Sequence, residues 1–133
     1  DTYIALEKLQ YYIEKETLKD YRNEISDMIK DLRNKLAKKD FETARLYIRL
    51  EEYKAAEIYY ENILNEFYDS DFFDFSVINL TILTSFTDVK DGKEILEENK
   101  LNFLNEETYS YAVKLMNNIE ENKEIEYYVE LLK

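Results

Sequence analysis

Apolar residues recur along this chain at intervals of three and four, nearly from end to end, the spacing of helices that bury one face. Residues 2–16 place Ile4, Ala5, Leu9, Tyr12 and Ile13 in that register. A break follows at Glu16–Thr17, with Thr17 or Asp20 able to cap what comes next. From about Leu18 to Leu50 one long helix is predicted, striped by Tyr21, Ile25, Met28, Ile29, Leu32, Leu36, Phe41, Ala44, Tyr47 and Ile48. The stripe drifts near Lys38–Asp40, which allows a bend there. Glu51–Glu52 make a turn, and Tyr53 to Phe67 form the partner helix. A left-handed residue is wanted at position 51, where glutamate in place of glycine costs about 1 kcal/mol.

The next helix takes Ser70 or Asp71 as its cap and runs to about Phe86. Phe72, Phe75, Val77, Ile78, Leu80, Ile82 and Leu83 make it apolar nearly all round, so it should be the most buried element. It also carries the most β-formers, yet no stretch of the chain reads as a strand. Thr87–Asp88 turn into a short helix from Val89 to about Asn99, with Gly92 at a position that wants a small residue. Leu101, Phe103 and Leu104 read as an apolar connector. Glu106–Asn118, capped at Asn105, and Lys123–Leu132 then form a terminal helical hairpin.

Residues 36–70 hold the clearest unit. Ala44 and Ala56 let two antiparallel helices approach closely, and Tyr47, Tyr53 and Tyr60 fill the groove between them. A helix–turn–helix of about 34 residues built this way has the period of a tetratricopeptide repeat. The fold class expected is therefore all-α, a tetratricopeptide-like stack of antiparallel hairpins in a single domain over 1–133. Within it, 2–16 reads as the second helix of a truncated repeat and 37–70 as the best repeat. A degenerate repeat over 71–99 and the hairpin over 105–133 complete it; terminal units of solenoids are commonly atypical.

Composition narrows the functions. The chain has no His and no Cys, so the common proton shuttle and the thiolate nucleophile are missing. It has one Gly and no Pro, and no GxxxxGK or GxGxxG phosphate cradle. Asp69 and Asp71 could be imagined as an acid–base pair or as metal ligands, but acidic residues at a helix start more simply answer the helix dipole. No catalytic residue, cofactor or metal site is expected. The net charge of -12 repels a phosphate backbone, which argues against a nucleic-acid partner. No apolar run approaches the roughly 20 residues that span a bilayer, so a membrane enters only through an anchor absent from this chain. The helical pattern already under way at Asp1 suggests a mature or trimmed form whose targeting segment is missing.

Two sets of side chains are candidates for partner binding. Lys38, Arg45 and Arg49 share one face of the long helix, with Phe41 and Ile48 beside them. This strip could clamp a carboxylate through the planar arginine fork; pairing of Arg45 with Glu42 and of Arg49 with Glu52 is the plainer alternative. Thirteen tyrosines include the pairs Tyr11–Tyr12, Tyr59–Tyr60 and Tyr127–Tyr128. In each pair one ring should face the core and the other the solvent. The outward set, Tyr11, Tyr59 and Tyr127, offers a second and weaker surface.

The segment DLRNKLAKKDFETARLYIRLEEYKAAEIYYENILNEFYDS resembles the late repeat of BamD-type outer-membrane assembly lipoproteins. The matching residues are Arg33, Leu36, Ala37, Phe41, Ala44, Tyr47, Arg49, Tyr53, Ala55, Ala56, Phe67, Asp69 and Ser70. ALEKLQYYIEKE is similar to the helix before that repeat, so the resemblance covers about residues 4–75. Glu51 stands where the family has its turn glycine and Tyr68 where it has proline. Tyr59 replaces a basic residue found in many members. The resemblance implies a periplasmic scaffold on the inner side of the outer membrane, holding the barrel-forming subunit or another envelope protein. A tetratricopeptide adaptor for a different envelope complex is the alternative it leaves open.

Overall fold

The turn that pairs the two central helices is closed by main-chain hydrogen bonds around a left-handed glutamate. Glu51 has φ 61°, its N–H donates to the Ile48 carbonyl and that of Glu52 to the Tyr47 carbonyl, each at 2.9 Å. This is the Schellman arrangement, in which the backbone satisfies the last carbonyls of a helix. It is achieved here with a side chain where glycine is the easy choice.

A computed structural model describes residues 1–15, 19–122 and 124–133. The side chains of Lys19 and Asp20 also lie outside it, so the capping expected of Thr17 or Asp20 and the start expected at Lys123 fall outside the described residues. The described residues form α1 (Thr2–Lys15), α2 (Lys19–Arg49), α3 (Tyr53–Glu66), α4 (Phe73–Thr87), α5 (Val89–Glu98), a single 3-10 turn (Lys100–Asn102), α6 (Glu106–Asn122) and α7 (Ile125–Leu131), with no strand among them. The architecture is an all-α stack of packed helical hairpins, as the periodicity predicts.

α2 runs as one helix through Lys38–Asp40. It packs on both α1 and α3. Ala44 of α2 and Ala56 of α3 are fully buried, as is Ala37 two turns earlier on α2. Their small side chains permit the close approach, and Tyr60 fills what remains. Its ring packs edge-on against Phe41 at 5.6 Å, and its hydroxyl accepts a hydrogen bond from Asn79 of α4 at 3.1 Å. Burial pushes the Tyr60 hydroxyl up to about 12, against the lowering effect of that hydrogen bond and of the Arg45 charge.

α4 is the axis of the stack and packs on α3, α5, α6 and α7. Eleven of its fifteen residues are buried, which matches its all-round apolar pattern. Its start differs from the expected cap. The helix begins at Phe73 after Phe72, with no side-chain cap, and Ser70 and Asp71 belong to the preceding turn. Asp88 and Asn105 do cap, accepting from the N–H groups of Lys90 and Glu107 at 2.9 and 2.8 Å.

Gly92 lies against α4, where a Cβ would sit 2.9 Å from the Thr81 carbonyl oxygen and closer still to the Ser85 hydroxyl. The connector after α5 is not apolar in its contacts. Leu101 and Leu104 are exposed, and only Phe103 turns inward, against Tyr109 at 5.2 Å. The connector is held by Asp74 of α4, whose two carboxylate oxygens accept from the N–H groups of Leu104 and Asn105 at 2.9 and 3.0 Å. α7 then packs on α4, and Asn118 of α6 donates to the Tyr128 hydroxyl at 3.3 Å.

Two substitutions test these contacts by chemical denaturation. Glu51→Gly relieves the left-handed backbone and should stabilise the fold by about 1 kcal/mol with unchanged helix content. Gly92→Ala should destabilise it by about 1–3 kcal/mol, because the obstructing carbonyl is backbone and the overpacking outweighs the helix-propensity gain.

Candidate partner-binding surface

The five residues of the expected groove divide between two directions. Lys38, Arg45 and Arg49 are exposed along one face of α2. Phe41 and Ile48 point about a sixth to a quarter of a turn away, given the 100° step per residue. Ile48 is fully buried and half-buried Phe41 packs on Tyr60 and on Phe72, the latter ring 5.5 Å away. Ile48 supports the strip from beneath and offers it no surface, while Phe41 leaves only part of its ring accessible.

Arg45 and Arg49 meet one acceptor. The Nη2 of Arg45 and the Nη1 of Arg49 donate to the main-chain oxygen of Lys133 at 3.3 and 3.2 Å. Two guanidinium groups thus converge on an oxygen supplied by the segment after α7. The Lys133 Nζ is 2.8 Å from Glu130 Oε1 and 3.8 Å from Glu51 Oε1, which ties the same segment to the α2–α3 turn. Lys133 lies more than 80 positions from either arginine, so no local pattern could have announced this contact. Lys38 stands apart, beside Tyr3, Lys35 and Glu42 on a recess of about 440 Å³ where the start of α1 meets α2.

Of the tyrosines expected to face outward, Tyr11 and Tyr127 are exposed and Tyr59 is half-buried, stacked on Tyr47 at 5.6 Å with 18° between the rings. The division within pairs holds for Tyr127–Tyr128; in Tyr59–Tyr60 the inner ring is fully buried but the outer one is itself half-covered, against Tyr47. Tyr11 and Tyr12 are both exposed, because α1 packs mainly on α2 and buries only Leu6.

The two carboxylates weighed as an acid–base pair are engaged in structure. Arg33, half-buried on α2, donates from Nη2 to Asp69 Oδ1 at 2.7 Å and to the Glu66 carbonyl at 2.6 Å, and from Nε to both Asp69 oxygens at 3.1 Å. Its guanidinium also lies over the rings of Phe67 and Tyr68, at 5.5 and 5.8 Å. Next to it, Asn34 accepts from the Asp71 N–H at 2.9 Å and donates to Asp71 Oδ2 at 3.3 Å. Adjacent residues of α2 therefore fasten the α3–α4 turn. Burial alone would raise the Asp69 carboxyl, but the hydrogen bonds and charge of Arg33 hold it below the usual carboxylate value.

No protein-family model matches the chain, and no curated protein is significantly similar to it.

The depressed Asp69 acidity sets a sign. A carboxyl whose folded value lies below its unfolded one stabilises the fold above the unfolded value, and that stability is lost as pH falls through the folded one. Arg33→Ala should cost about 2 kcal/mol at neutral pH by leaving the Glu66 carbonyl and Asp69 without their donor. It should also flatten the loss of stability as pH falls below the unfolded carboxylate value of about 4, measured by urea denaturation across that acid range.

Proposed function

We propose that this chain is a non-enzymatic scaffold for protein–protein interaction, built from tetratricopeptide-type hairpins. On this reading it acts as a BamD-like accessory in the assembly of outer-membrane β-barrel proteins, on the periplasmic side. The observation that carries the reading is the convergence of Arg45 and Arg49 on a single oxygen, on an exposed face of an otherwise acidic chain. Such a pair suits the carboxylate of a partner protein, which would be gripped by charge-assisted hydrogen bonds. The repeat that resembles the family supports the reading in a second way. Leu36, Ala37, Ala44, Ala56, Phe67 and Ser70 are all buried in the α2–α3 hairpin and its closing turn.

A different envelope partner has one observation in its favour. Tyr59, where many family members carry a basic residue, is stacked on Tyr47 and presents no charge. On that reading the same strip serves an adaptor in another complex.

Charge reversal of both arginines, Arg45→Glu with Arg49→Glu, should weaken capture of the partner at least about tenfold while leaving helix content, read by circular dichroism, unchanged. Pull-down with the periplasmic domain of a barrel-forming subunit separates the two readings. Arginine-dependent recovery supports the first, and recovery only of another envelope protein supports the second. Capture that ignores the reversal removes the strip from either.

A further inference from the structure

Glu61, Leu64 and Asn65 on α3, and Ile95, Glu98 and Asn99 at the end of α5, repeat one spacing of three and four residues, so each triplet shares a helix face. Both faces border one recess of about 490 Å³, and α4 packs on both helices. The floor is apolar, made by buried Leu80 of α4 with half-buried Leu64 and Ile95. The rim is acidic: Glu61 and Glu98 are exposed, and neither forms an ion pair among the described residues. Asn99 donates from its side-chain nitrogen to the Ile95 carbonyl at 2.9 Å, which leaves its Oδ1 as a further acceptor. No lysine or arginine lines this recess, whereas the larger one at the α4–α5 turn holds Lys90 and Lys93.

We propose that this recess is a docking site for a segment of a partner protein that presents a lysine or arginine between apolar residues. Charge complementarity selects that occupant. A long basic side chain lays its methylene stem along an apolar floor and keeps its charged head at the wet rim. There two carboxylates and an amide oxygen meet the three or more N–H donors of that head. An acidic side chain would face two like charges, and a wholly apolar one leaves the carboxylates unanswered. The net charge of -12 also draws a basic segment in from a distance. The recess shares no residue with the arginine strip, which takes the opposite charge, so the two surfaces stand or fall separately.

Nuclear magnetic resonance of the whole chain reads the site directly, because the side-chain amides of Asn65, Asn99 and Asn102 border it. The probe is an acetylated, amidated Leu-Lys-Leu peptide, titrated to about 10 mM. Saturable shifts at these three amides are expected, weakening as salt rises from about 0.05 to about 0.5 M. Glu61→Gln with Glu98→Gln, at exposed positions that leave the core intact, should weaken binding about fivefold or more. Glu14→Gln with Glu24→Gln, an equal change of charge on α1 and α2, should alter it less than about twofold. The double arginine reversal should not weaken it. The proposal is overturned if no saturable shift reaches those amides, or if both glutamine pairs weaken binding equally. It is also overturned if a Leu-norleucine-Leu peptide binds as tightly, or if spermidine binds more tightly than the lysine peptide and so takes the partner segment's place.

Discussion

The close approach of α2 and α3 is the constraint on which the rest of this structure depends. It is possible because fully buried Ala44 and Ala56 carry no side-chain atom beyond Cβ. Beside the alanines the Tyr60 ring is buried with no exposure at all. A ring that deep must find a partner for its hydroxyl, and Asn79 supplies one from α4. The position of α4 along α3 is thereby set by a hydrogen bond as well as by packing. At the far end of the pair, Arg33 and Asn34 grip the turn that leads into α4, so both ends of the α3–α4 connection are referred back to α2.

α4 carries this order outward. A helix buried on nearly every side contributes a large apolar area, but its polar side chains must then be satisfied inside the protein. Asp74 does so by accepting from two connector N–H groups, and Ser76 by donating to the Phe72 carbonyl at 2.6 Å. Ser85 donates to the Met116 sulfur at 3.7 Å. The bonds of Asp74 and Ser85 end on other parts of the chain and act as register marks between layers, whereas that of Ser76 runs back to the start of its own helix. The Thr81 hydroxyl has no partner among the described residues, and it lies on the part of α4 that Gly92 approaches most closely.

What could be read from the sequence follows from the range of the forces involved. Helix periodicity, the turns at Glu51–Glu52 and Thr87–Asp88 and the cap at Asn105 are properties of a few neighbouring residues, and each is found where the pattern puts it. The connector was misread because leucines suggest burial, whereas its position is fixed by Asp74 acting on main-chain N–H groups some 30 positions away. The strip on α2 was legible as a set of exposed cations. That Phe41 and Ile48 belong to the layer below depends on where α3 and α4 dock. The tyrosine pairs show the same limit: a single 100° step predicts opposite faces, but only a helix covered on one broad side converts that into one buried ring and one exposed ring. On α3 Tyr60 is fully buried and Tyr59 half-buried, and on α1 both rings are exposed.

The internal contact at the arginine strip bears on how a partner would be held there. The two hydrogen bonds to Lys133 are 3.2 and 3.3 Å long, whereas charge-assisted bonds to a well-seated carboxylate are about 2.7–2.9 Å. Arg33, which has such a seat at Asp69, reaches 2.7 Å, so the difference lies in the acceptor's placement and not in the donor. α7 is a seven-residue helix with Val129 as its one buried residue and Leu132 just beyond it, a small anchor for the segment that supplies the oxygen. A partner carboxylate on the proposed strip therefore competes with an acceptor that is always nearby but imperfectly aligned. The proximity raises the affinity a partner needs, and the misalignment leaves it room to win.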